Sequence, residues 1–138
     1  MEISSDVYHR IVAAKIFMDE HYGQALDLNM ISRHSCISRY HFHRLFTRIY
    51  HKTPHRYLTQ KRIECARKLL GEDQLTVSEI CNSVGFESIG SFSVLFKKEI
   101  GFAPQFYRNL AYRKKQLASQ QPKQFIPNCF IETYLLDR

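Results

Sequence analysis

The stretch SCISRYHFHRLFTR, residues 35–48, sets long hydrogen-bonding side chains beside apolar ones. Tyr40, His43, Arg44 and Thr47 recur at i, i+3, i+4 and i+7, which places them on one face of a helix. Phe42, Leu45, Phe46 and Ile49 repeat that spacing two residues on and make a dry face on the other side. A helix held to a core by its dry face can present donors and acceptors to the edges of nucleic-acid bases. Arg44 can give two parallel N–H bonds to guanine O6 and N7, for about 1–3 kcal/mol of discrimination, and Tyr40 and His43 can add hydrogen bonds or contacts to thymine methyls.

The surrounding charge suits the same partner. Between residues 39 and 68 the cations are Arg39, Arg44, Arg48, Lys52, Arg56, Lys61, Arg62, Arg67 and Lys68, opposed only by Glu64. Phosphate contacts from such a segment dominate affinity and weaken as salt rises. Arg39, Arg48, Arg56 and Lys61 are the phosphate candidates here, and the first N–H groups of a helix starting near Pro54 and His55 can hold a further phosphate. Arg62 is expected to pair inside the fold instead. The 138 residues carry a net charge of +7, which favours an anionic partner: nucleic acid, an acidic protein or a membrane surface.

Other chemistries find little support. Seven histidines and four cysteines invite a metal search, but no C-x-x-C occurs. Pro54 starts a helix between His51 and His55, and His41 and His43 point to different sides of theirs. A structural zinc needs four converging ligands, so no metal and no cofactor are expected. No cysteine sits in a nucleophile motif, and the chain is not expected to be an enzyme. The N-terminus, MEISSDVYHR, has no apolar run, and nothing reaches the ~18 apolar residues of a membrane span. The expectation is a cytoplasmic protein with no membrane partner and reduced thiols. Cys36, Cys65 and Cys81 are read as small core residues, and Cys129 as exposed.

The elements that must position these residues are helical nearly throughout. Tyr8, Ile11, Val12, Ile16 and Met18 suggest a first helix after Ser-Ser-Asp. Asp27, Ser38, Thr53, Thr76 and Ser88 each stand where an N-cap belongs, and Thr76 with Glu79 forms a capping box. Pro54 fits the first position of a long helix that closes near Gly71, and its apolar side includes Tyr57, Leu58, Ile63, Ala66, Leu69 and Leu70. A short last helix is expected from Pro104, fading after Lys115. The apolar segment 125–136 is expected to fold back on the domain, or to serve as a regulatory or dimerisation element.

The two halves repeat. Asp27, Leu28 and Ile31 align with Thr76, Val77 and Ile80 at an offset of about 49, and Ser38, Phe42, Leu45 and Phe46 align with Ser88, Phe92, Leu95 and Phe96 at about 50. Each unit is a helix, a short turn and a second capped helix, a plan whose second helix can enter a DNA major groove. The domain reading is an N-terminal helix-turn-helix subdomain over 1–53, a linker helix over 54–71, a C-terminal helix-turn-helix subdomain over 72–115 and a tail over 116–138.

In residues 77–108, VSEICNSVGFESIGSFSVLFKKEIGFAPQFYR, the pair Gly85-Phe86, then Phe92, Phe96-Lys97-Lys98, Gly101, Pro104 and Tyr107-Arg108 follow a specific pattern. It resembles the DNA-binding domain of the AraC/XylS family of bacterial transcription regulators. Arg62, Ala66 and Leu70 match that family's linker-helix pattern, and the resemblance runs from about Val7 to Arg108. With no large second domain, the chain is most similar to the small stand-alone members of the MarA/SoxS type. The resemblance implies an all-α fold of about seven helices: two helix-turn-helix, homeodomain-like subdomains joined by a long linker helix. It implies a monomer on double-stranded DNA, with reading helices 39–48 and 88–99 in successive major grooves about one turn, ~34 Å, apart. RNA polymerase is a further candidate partner.

Carried over by position, the base-reading residues are Tyr40, His43 and Arg44, then Ile89, Gly90 and Val94. The second set departs from the family pattern, in which position 94 is often Arg and positions 89 and 90 are often polar. Ile89 and Val94 could touch thymine methyls, or the helix could dock on phosphates through Ser91, Ser93 and Lys97. His51 and Ser35 stand where turn glycines are common. Two alternatives stay open: a protein-interaction module, for RNA polymerase or a regulator, with weak DNA binding; and a DNA-binding fragment of a larger effector-sensing regulator.

Overall fold

The computed structural model describes residues 2–72 and 74–120. Seven helices form among them: α1 (Ser5–His21), α2 (Leu28–Arg33), α3 (Arg39–Tyr50), α4 (Pro54–Leu70), α5 (Val77–Ser83), α6 (Ile89–Ile100) and α7 (Pro104–Gln120). The fold of the described residues is all-α, with two helix-turn-helix motifs. Contacts group the chain into two compact units that divide between Arg62 and Ile63, within α4.

The first unit is built on α1, α2, α3 and the start of α4. Ile11, Ala14, Met18, Ile31, Phe42, Phe46 and Leu58 form one buried cluster. On α1 the buried line runs Val7, Ile11, Ala14, Met18, so Ile16 falls on the far side. Tyr8 and Ile16, two of the apolar residues whose spacing suggested this helix, are therefore exposed. Arg62 behaves as its position suggested: its Nε donates to the Tyr22 carbonyl and an Nη to that of Gln24, both at 2.8 Å. The loop after α1 is thereby tied to α4.

The turn between α2 and α3 corrects two expectations. Ser35 is buried and fully engaged: its Oγ donates to the Ser32 carbonyl at 2.6 Å and accepts from the Ile37 N–H at 3.2 Å. The left-handed residue is its neighbour Cys36, at φ 55°. Cys36 is exposed rather than part of the core. Cys81 is buried as expected, and Cys65 is half-buried.

In the second unit the buried residues are Ile63, Ala66 and Leu70 of α4, Ile80 and Cys81 of α5, Val84, and Phe92, Phe96 and Ile100 of α6. The repeat extends to ring geometry. Phe42 and Phe46 have centroids 5.6 Å apart, and Phe92 and Phe96 are 5.7 Å apart. Thr76 accepts the Glu79 N–H and donates its hydroxyl to the Glu79 carboxylate, each at 3.1 Å.

α7 runs past Lys115 to Gln120, longer than the short helix expected. Its Lys, Gln, Leu and Ala residues are good helix formers even where the apolar stripe fades. From α7, Arg108 donates to the Leu70 carbonyl at 3.2 Å and Lys115 to that of Gly71. Two cations thus cover the carbonyls where α4 ends, where the helix dipole is negative. The segment 125–136 and Cys129 lie outside the described residues.

Candidate nucleic-acid interface

α3 is positioned at both ends. Ser38 accepts the His41 N–H at its start, and at its end the His51 N–H bonds the Thr47 carbonyl while His51 takes φ 60°. With Phe42 and Phe46 fully buried, the opposite side must face outward. Tyr40 is 79% exposed, Arg44 is exposed, and His43 is half-buried between them along the helix. Thr47 donates its hydroxyl back to the His43 carbonyl at 2.8 Å, so it has no proton to give outward. Arg39 and Arg48 are exposed near the two ends of the helix. Its 12 residues span about 18 Å, a length and width that a major groove admits.

α6 is held in the same way. Ser88 accepts the Ser91 N–H at 3.1 Å, and Gly101 closes the helix at φ 99°. Its outward side has a different chemistry. Ile89 is 49% and Val94 69% exposed, with Gly90 exposed between them. A Cβ at Gly90 would meet nothing within 4 Å. Ser91 and Lys97 are exposed and Ser93 is half-buried. In the repeat, Gly90 stands where Tyr40 does, Val94 where Arg44 does, and Lys97 where Thr47 does. The structure thus gathers Tyr40, His43 and Arg44 on one face of α3, and Ile89, Gly90, Val94 and Lys97 on the exposed side of α6.

The remaining phosphate candidates are on α4. Arg56 is exposed near its start, and its N–H is bonded by Thr53 at 3.1 Å. Lys61 is half-buried, and its charge also bears on Asp19. Asp19 belongs to a network that the helical period alone does not reveal. Tyr57, apolar by its place in the period of α4, donates its hydroxyl to Asp19 at 2.6 Å, and Lys15 pairs with the same carboxylate at 2.7 Å. Burial and the Asp19 bond push the Tyr57 hydroxyl up to about 12. Burial pushes Asp19 up, but the bonds from Lys15 and Tyr57 outweigh it and leave the carboxyl below its ordinary value. The i,i+4 spacing of Lys15 and Asp19 was the available clue.

Among the described residues, no group of three His, Cys, Asp or Glu side chains could hold a metal ion. No described helix is long and apolar enough to cross a membrane.

Residues 31–110 match a family described as "Helix-turn-helix domain". The chain is 32% identical over 100 residues to the melibiose operon regulatory protein of Escherichia coli strain K12, across 72% of this chain and 33% of that protein. It is 28% identical over 93 residues to the regulatory protein SoxS of Salmonella typhimurium strain LT2, across 67% of this chain and 87% of SoxS. The DNA-binding domain of AdpA, solved in complex with a target DNA, superposes with a TM-score of 0.69 at 22% identity, over 81% of this chain and 96% of that one, and so shares the fold. The chain spans about a third of the length of the melibiose regulator it matches.

Proposed function

The chain belongs to the AraC-type helix-turn-helix family of transcription regulators, and we propose that it regulates transcription by binding duplex DNA at a specific sequence, with α3 supplying the hydrogen-bonded base readout. The observation that carries this reading is the pairing, on one capped helix, of fully buried Phe42 and Phe46 with an exposed row of Tyr40 and Arg44 flanking His43. Arg44 takes guanine through two bonds, and Tyr40 and His43 contact the neighbouring bases. Arg39, Arg48, Arg56, Lys61, Ser91 and Lys97 hold phosphates and set the register without reading sequence.

The subdomains of this reading are residues 1–53 and 72–115, joined by the linker helix 54–71, with 116–138 as a tail. One chain with two reading helices needs no second copy to occupy two half-sites, so the protein acts as a monomer on its site. RNA polymerase is the partner through which a bound regulator would act. The protein carries out no catalysis and works in the cytoplasm, where its DNA is.

Selection of bound duplexes from a random pool at near-physiological salt tests this reading. Enrichment of a defined motif containing guanine is expected. A pool that stays random through repeated rounds would refute sequence-specific binding.

A further inference from the structure

α6 occupies the same place in its unit as α3, yet where α3 exposes Arg39, Tyr40 and Arg44 it exposes Ile89, Gly90 and Val94, whose side chains have no hydrogen bond to offer a base. Ile89 and Val94 are large apolar side chains left 49% and 69% exposed beside Lys97, on a chain of net charge +7. Gly90 adds to the puzzle. It lies in the first turn of a helix, an element in which glycine is among the least favoured residues. Neither packing nor a left-handed backbone calls for it, since a Cβ there would meet only open space and only Gly85 and Gly101 among the described glycines have positive φ. Its counterpart Tyr40 projects a full aromatic side chain at the same point.

A helix with a bare backbone flanked by two branched apolar side chains fits one feature of the major groove. The thymine C5-methyl is the apolar group that a base pair presents there. Without a side chain at 90, the helix can approach the base edges closely enough for Ile89 and Val94 to touch methyls. We propose that α6 reads thymine methyls by dry contact through Ile89 and Val94, with Gly90 setting the approach, so that the half-site under the second unit is thymine-specific. Recognition is then divided: hydrogen bonds through α3, methyl contacts through α6. This rests on the reading that the chain binds DNA through both units.

Replacing thymine by deoxyuridine removes the methyl and leaves every hydrogen-bonding group of the base pair in place. The test titrates the full chain, by fluorescence anisotropy, against its selected duplex and a set in which each thymine in turn is deoxyuridine. Loss of roughly three- to four-fold in affinity per contacted methyl is expected, at one or two positions outside the motif whose recognition depends on Arg44. Val94→Ala should bind the thymine and deoxyuridine duplexes equally at its position, and Ile89→Ala likewise at the other. Both side chains are exposed, so these variants keep the fold. Gly90→Leu, at an exposed position where a Cβ meets nothing within 4 Å, should abolish the preference at both positions.

Wild-type binding indifferent to every deoxyuridine, with Arg44-dependent selectivity intact, overturns the methyl reading and leaves the DNA-binding reading standing. Deoxyuridine losses that persist unchanged in both alanine variants also overturn it. Failure to prefer any duplex overturns both readings, and points to a protein partner on the apolar face of α6.

Discussion

His51 and Gly101 close α3 and α6 in the same left-handed conformation, at φ 60° and 99°. Cys36 and Gly85 stand in the same relation one turn earlier in each repeat, at 55° and 97°. The second unit uses glycine at both places, and the first carries side chains there.

A left-handed residue with a Cβ costs about 1–2 kcal/mol, and part of that is returned when glycine loosens the unfolded chain. His51→Gly and Cys36→Gly should each stabilise the protein by up to about 1 kcal/mol, measured as a rise in the urea midpoint at constant slope. Gly101→Ala should destabilise it by about 1–2 kcal/mol, although its Cβ would meet no neighbour within 4 Å. Unchanged midpoints in all three would show that these turns store no backbone strain.

Arg62 holds two backbone carbonyls, those of Tyr22 and Gln24, from 40 and 38 residues away. Hydrogen bonds from a charged donor contribute about 1.5–3 kcal/mol. Arg62→Met should therefore lower stability by about 2–3 kcal/mol, measured by urea denaturation. A loss confined to DNA affinity, with stability unchanged, would make Arg62 a phosphate contact instead.

The Lys15–Asp19–Tyr57 network gives the first unit a defined pH response. Tyr57 titrates at about 12 in the fold against an ordinary 10.0, so it stabilises the folded state below pH 10 and that stabilisation is lost as pH rises to about 12. Lys15, also raised through its bond to Asp19, acts in the same direction. Asp19 is shifted oppositely, so its contribution is present above the ordinary carboxylate value of 3.8 and fades as pH falls below it. Thermal unfolding from pH 9 to 12 should show the wild type losing stability faster than Tyr57→Phe. Parallel curves would show that the tyrosine hydroxyl carries no linkage.

Arg39 and Arg48 are exposed near opposite ends of α3. As phosphate contacts, each replaced by alanine should weaken binding to all duplexes alike and reduce the salt slope by about 1. A loss limited to one base substitution would instead make the residue a reader.

Much of this architecture is legible in the amino-acid sequence because it is local. Asp27, Ser38, Thr53, Thr76 and Ser88 cap helices where a short polar side chain precedes an apolar period, and all five accept the expected N–H. The Phe42–Phe46 and Phe92–Phe96 pairs declare the dry faces through the helical period alone. What was missed depends on three-dimensional partners. Tyr57 reads as apolar until Asp19, 38 residues earlier, is placed beside it. Ile16 reads as core until the line through Ile11, Ala14 and Met18 is shown to face away from it. The left-handed turn residue falls on Cys36 rather than Ser35, since Ser35 is pinned by two hydrogen bonds that sequence spacing does not reveal. The outward face of α3 follows from its buried face, whereas the meaning of α6 depends on Gly90, whose emptiness appears only with its surroundings in place.

If α3 reads sequence through Arg44, the ratio of affinities for the selected duplex and a scrambled one, at near-physiological salt, must differ between wild type and Arg44→Ala. The wild type should prefer its site by at least ~10³-fold. Arg44→Ala should lose about 1–3 kcal/mol of that preference and become indifferent at one base pair, while binding the scrambled duplex nearly as before. An equal weakening on both duplexes, with the ratio preserved, would make Arg44 a phosphate contact and not a reader of bases.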